Sequence, residues 1–192
     1  MLFSKKKGTY PYLRKAPVYQ GLLTLVLLIL PVGLFFIGYS ITKDFKNLFT
    51  VIAVVGMLPA AKSIVSFIVF LRAEKYSIPS KLHDEIAGYE GKGAYIGYDY
   101  YLTSYSANYP LCTAAVGKRC LIALCTEAKT KTVDCENHIK EYLTKNDIKD
   151  ITVKVFDKEE RFLDRLKELA ASCDELSEDE ARAFALLSSL SI

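Results

Sequence analysis

From Ala16 to Thr42 the chain carries no charged side chain for 27 consecutive positions. At ~1.5 Å per helical residue, about 20 such residues cross a hydrocarbon core of about 30 Å. A second run, Asn47 to Leu71, has similar reach and holds one charge, Lys62. The link from Ile41 to Phe49 is long enough only for a tight reversal. The pattern therefore predicts a two-helix transmembrane hairpin, with spans at about 20–41 and 48–71. The basic start (Lys5, Lys6, Lys7) would also suit a signal peptide. The apolar stretch, however, exceeds the usual h-region and no Ala-x-Ala site follows, so the segment is expected to be retained.

Charge divides the chain in the same place. Residues 1–75 hold 10 Lys/Arg and 2 acids, a balance of +8, whereas residues 76–192 hold 15 and 20, a balance of −5. The domain reading is a basic N-terminus with the hairpin over 1–75, followed by an α/β domain over 76–192. Lys5, Lys6, Lys7, Arg14 and Lys15 flank the first span, and Arg72, Lys75 and Lys81 follow the second. The link holds only Lys43 and Lys46. That bias predicts a multi-pass protein of the cell membrane with both termini cytoplasmic. Tyr10, Tyr12, Tyr19 and Tyr76 fall where interfacial aromatics are expected, and the basic N-terminus would be drawn to anionic headgroups.

The second span is the unusual one, with Pro59 and Lys62 near its middle. Proline removes a backbone donor and predicts a kink near Val55, or a break and tilt at Pro59 that leaves Lys62 in a water-filled notch or in the headgroups. An intramembrane charge is otherwise a functional candidate. Gly56, Ala60, Ala61 and Ser63 favour close helix contact, within the hairpin or between subunits.

After Tyr76 the periodicity predicts the order α-β-β-β-α-β-α-α, a small mixed sheet covered by helices. The segments are a helix over 81–89 capped by Ser80, strands over 98–105, 111–116 and 119–126, a helix over 134–145, and a strand over 151–156. Two further helices follow, opened by capping boxes at Asp157–Glu160 and Ser177–Glu180. Gly117-Lys118 is read as the hairpin turn, and Ala181, Phe184 and Leu187 as the inward face of the last helix.

Chemistry-bearing groups are sparse. Five cysteines (112, 120, 125, 135, 173) lack C-x-x-C spacing, and the two histidines are His83 and His138. Cys135 and His138 share a helical face as half of a metal site, but no spacing supplies the other half, so neither metal nor cofactor is expected. Gly91-Lys-Gly93-Ala-Tyr-Ile-Gly97 precedes a strand instead of opening a helix, so it reads as a connecting loop. The tyrosine-rich strand places Tyr98 and Tyr100 on one side and Tyr101 and Tyr105 on the other. These are candidate partner-binding residues, with packing under the helices as the alternative.

The order α-β-β-β-α-β over residues 81–156 resembles the restriction-endonuclease-like core, the PD-(D/E)xK superfamily. Its acidic-x-Lys signature, at the end of the third strand, is matched by Glu127-Ala-Lys129. The resemblance implies a divalent ion on Glu127 and a water activated by Lys129. The acid it requires on the preceding strand would fall near Thr113, where there is none, and Asp99 lies one strand earlier. The −5 balance argues against a nucleic-acid partner. The sequence reading is therefore a small membrane protein whose cytoplasmic domain recognises a protein or small ligand. It would act as a non-enzymatic accessory, sensing or assembly subunit, with the bilayer and a protein partner or second copy as its associates. A membrane-tethered, degenerate nuclease-like domain using Glu127 and Lys129 is the alternative. A pore-forming effector with Lys62 in a shared lumen is the third reading.

Overall fold

The structure, a computed structural model, describes residues 7–104, 107–127, 131–171 and 177–192. It divides into two units: Arg14–Lys75, and the described residues up to Leu13 together with Tyr76–Ile192.

The first unit is a helical hairpin. Helices α1 (Tyr12–Thr42) and α2 (Leu48–Glu74) are both long and apolar enough to cross a membrane. The turn between them is closed by Asn47, whose side chain accepts from Thr50 N at 2.8 Å and caps α2. Small residues set the contact between the helices: Ala53, Ala60 and Ser63 are buried, and a Cβ on Gly38 would lie 2.4 Å from Phe49 Cβ. Ser63 is the polar joint, 3.0 Å from Gln20 Nε2 and 2.8 Å from Thr24 Oγ1. Gly56, Ala60 and Ser63 thus serve packing within the hairpin, whereas Ala61 faces outward. The expected break at Pro59 does not occur. One continuous helix runs through it, as α1 runs through Pro17 and Pro31. Ser63→Ala removes the joint and little else, and is expected to cost the hairpin about 1 kcal/mol. Unfolding by increasing SDS fraction in mixed micelles measures it, and an unchanged midpoint would contradict the assignment.

The second unit is a three-layer α/β/α domain built on the predicted order. Strands β1 (Tyr95–Thr103), β2 (Asn108–Gly117), β3 (Cys120–Leu124) and β4 (Thr152–Phe156) form one sheet in sequence order. The first three make an antiparallel meander, and β4 runs parallel to β3. One face packs on α3 (Ser80–Ala87) and α5 (Glu159–Ala170) through Leu82, Ile86, Phe162, Leu166 and Leu169. The other packs on α4 (Thr132–Lys145) and α6 (Glu178–Leu190) through Cys135, Ile139, Leu143, Ala183 and Leu187. Both faces of β2 and β3 are covered, which is why these strands read as apolar runs without alternation.

The outer edges of the sheet are managed by side chains and chain ends. On β4, the buried Glu136 carboxylate accepts from Val155 N at 3.0 Å. On β1, Gly8 O accepts from Tyr98 N at 2.9 Å, and Ile192 N donates to Tyr101 O at 3.2 Å. The stretch at residues 7–13, read from sequence as the flank of a membrane span, is thus part of this unit.

Several local expectations shift. The hairpin turn is Lys118-Arg119, both at positive φ (48° and 52°), with Gly117 paired to Cys120. This is the twist that matches a two-residue hairpin. Helix α3 starts at Ser80 after Pro79, so the Ser80 hydroxyl is released to meet Tyr10. At α5 the cap position is Lys158, with no side-chain cap, so the Asp157 capping box does not form. The Ser177–Glu180 box does form, and Ala183 takes the inward place expected of Ala181.

Candidate functional site

The meander folds the tyrosine-rich strand into the protein. Tyr98, Tyr100 and Tyr101 are 4%, 0% and 5% exposed, which removes β1 as a flat docking face. Tyr105 lies outside the described residues. The expected alternation also fails, because Tyr98 packs with the α3/α5 core and Tyr100 with the α4/α6 core. The cause is Asp99 between them. It takes φ +57°, and the pairing of β1 with β2 is interrupted there, at Asp99 and Cys112, with the register unchanged on either side. A residue in the left-handed region turns the following side chain out of the strand's two-residue period. Tyr100 then lies over Gly97 and Gly8, where any Cβ would collide with its hydroxyl end. Its hydroxyl meets Ser188 Oγ at 3.2 Å, and burial pushes the phenol up to about 12.

Asp99 itself is 0% exposed. Its Oδ1 accepts from Ser77 Oγ and Ile78 N, each at 2.9 Å, and its Oδ2 accepts from Leu13 N at 3.2 Å. One carboxylate therefore ties Leu13, Ser77 and Ile78 together, all within the domain. An anion at a helix N-terminus is favoured by the unpaired amides there.

Tyr98, though 4% exposed, lines a cleft of about 530 Å³. Residues 8–10, α3 and the start of β1 supply its walls. Tyr10 stacks on His83 with ring centroids 3.9 Å apart and planes 24° from parallel, and His83 lies 4.9 Å from Tyr98. The Tyr98 hydroxyl donates to Glu90 Oε1 at 2.6 Å, and burial, reinforced by that carboxylate, pushes its pKa strongly up. His83 is held from behind by Asp84, 3.2 Å from Nδ1. Among the described residues, the lining contains one carboxylate, one imidazole and three tyrosines, but no lysine or arginine. The volume suits a small ligand. The loop Gly91–Gly97 contributes to this wall, so it does more than connect. Sequence reasoning passed over Tyr10, His83 and Glu90. The only available signal was the coincidence of an aromatic segment at 10–12 with an imidazole on an eight-residue helix.

Among the described residues, the other candidates do not converge. Glu127 is half-buried and accepts from Tyr76 Oη at 2.6 Å, while Lys129 lies outside the described residues. Thr113 is fully buried and donates to Gly97 O at 3.0 Å, so nothing there approaches Glu127 as a second acidic ligand. Asp99 is committed to three donors. Among the described residues no three His, Cys, Asp or Glu side chains gather to hold a metal. Cys135 is fully buried and pushed up to about 12, whereas His138 sits between Tyr109 and Tyr142. Lys62 and Pro59 are both exposed on the hairpin.

Comparison with known proteins finds no matching family model, no matching curated protein and no matching solved structure.

Proposed function

We propose that this protein is a membrane-anchored recognition module without chemistry of its own. The hairpin would span the cell membrane twice with both chain ends cytoplasmic. The domain would bind a small ligand in the Tyr10–His83–Tyr98 cleft. The anchoring half is supported by the surface: among the described residues, the exposed large hydrophobic ones all fall between Val18 and Leu71, apart from Val133. The Lys/Arg asymmetry of the flanks supports the orientation.

The observation that carries the recognition half is the cleft's composition. Aromatic faces and edges meet a carboxylate, with no lysine or arginine among the described lining residues, a set that attracts aromatic amines and compact organic cations and disfavours anions. The chain contains no tryptophan, so indole fluorescence reports bound ligand cleanly. Full-length protein in detergent is expected to bind tryptamine about tenfold more tightly than indole-3-acetate. His83→Ala and Glu90→Gln should each weaken tryptamine binding severalfold. Equal affinity for the two indoles, or binding untouched by both substitutions, would remove the cleft from this role. A protease-protection assay on sealed vesicles checks the topology, since a C-terminal tag shielded from the cytoplasmic side contradicts it.

A further inference from the structure

We infer that Lys62 pairs, within the bilayer, with a carboxylate carried by a transmembrane helix of another protein. The inference rests on the membrane-spanning reading of the hairpin.

Lys62 lies 14 residues after the first residue of α2 and 12 before its last. At ~1.5 Å per residue that is ~21 and ~18 Å from the two helix ends. The nearer headgroup level is marked by Arg72, 10 residues or ~15 Å along the helix, which is still beyond a lysine stem, so snorkelling does not bring the ammonium to the headgroups. The side chain also points away from α1. The inward positions around it, Ala60 and Ser63, are buried, and the Ser63 hydroxyl is already engaged by Gln20 and Thr24. On Lys62's own side, Leu58 and Val65 are 70% and 62% exposed. Among the described residues the ammonium has neither an ion-pair nor a hydrogen-bond partner.

A lone charge on a lipid-facing surface is costly, and such residues pair with one another or line water. This chain cannot supply the partner. Between Arg14 and Lys75 its acids are Asp44 and Glu74, 18 and 12 residues from Lys62 along the sequence. A second copy with the same topology lies at the same depth, so it would place lysine opposite lysine. Charge complementarity therefore selects a different chain, one that offers aspartate or glutamate near the bilayer centre. Pro59, one turn earlier and also exposed, lacks an N–H and leaves the Val55 carbonyl without its usual donor. A partner's polar side chain can use that acceptor beside the ion pair.

The test reconstitutes the labelled full-length chain in phosphatidylcholine vesicles. The probe is a leucine–alanine transmembrane peptide of about 20 residues with one central aspartate, compared with the same peptide bearing leucine there. Energy transfer is expected to show the aspartate peptide associating at least about tenfold more strongly. Lys62→Leu should abolish that preference, and Lys62→Asp should transfer it to a lysine-centred peptide. Equal association of both peptides, or a preference that survives Lys62→Leu, overturns the pairing. Self-association that depends on Lys62 and is indifferent to the aspartate peptide also overturns it, in favour of a lumen between copies. Carbonate washing of the same vesicles separates the two levels. Release of the chain overturns the spanning reading and the pairing together, whereas retention without aspartate preference overturns the pairing alone.

Discussion

Asp99→Ala is expected to lower the stability of the domain by about 3–5 kcal/mol. The carboxylate is fully buried and accepts from Ser77 Oγ and from two backbone amides, Leu13 N and Ile78 N. Alanine leaves those amides inside with no acceptor, and each such loss costs about 1–3 kcal/mol. Asp99→Asn separates charge from shape. Its amide group can keep one acceptor oxygen, but it turns an NH₂ toward donors on the other side, so an intermediate loss is expected. The measurement is urea unfolding of the full chain in detergent, with hydrogen exchange read at Leu13 and Ile78. A midpoint unchanged in both variants would show that the clamp contributes nothing. Asp99→Gly gives a further control. It relaxes the φ of +57° while losing the same bonds, so it should fall close to alanine if hydrogen bonding dominates over strain.

The second large effect is expected at Glu180. This residue is 4% exposed, and its two oxygens do separate tasks. Oε2 accepts from Ser177 N at 2.7 Å and closes the capping box of α6. Oε1 accepts from Arg119 N at 2.6 Å, inside the β2–β3 turn. That turn places two residues with side chains, Lys118 and Arg119, in the left-handed region that favours glycine. Glu180→Ala therefore loses a cap and frees a strained turn together, with a cost of about 2–4 kcal/mol. Glu180→Gln keeps one oxygen and should retain about half of the stability. Ser177→Ala, which removes the cap alone, should cost about 1 kcal/mol. If Ser177→Ala and Glu180→Ala prove equal, the link to the turn has no energetic weight.

These two residues show where the sequence was readable and where it was not. The Ser177–Glu180 box was legible because capping is local: four consecutive residues carry the whole signal. The contact of Glu180 with Arg119 spans 61 positions, and no periodicity announces it. Asp99 sits in a strand flanked by tyrosines, where alternation alone assigned the neighbouring rings to one face. Its left-handed backbone is held by partners at residues 13, 77 and 78, none of them on a neighbouring strand. The cleft was illegible for the same reason. Tyr10 looked like an interfacial aromatic because it stands beside a membrane span, yet it stacks on a histidine 73 positions away.

By itself the sequence determined the two long apolar helices, their reversal, the element order and the apolar faces that make the sheet a middle layer. Those features follow from composition and period over windows of 5–30 residues, where burial of apolar surface outweighs other terms. It also placed Lys62 among apolar neighbours. Tertiary structure alone decided that Lys62 faces outward, that Tyr98, Tyr100 and Tyr101 are buried, and that a single buried aspartate ties residues 13, 77 and 78 to the sheet. The physical reason is that hydrogen bonds and ring contacts act over about 3–5 Å between segments brought together only by folding. Their partners are chosen by geometry, and geometry is not written in the order of residues.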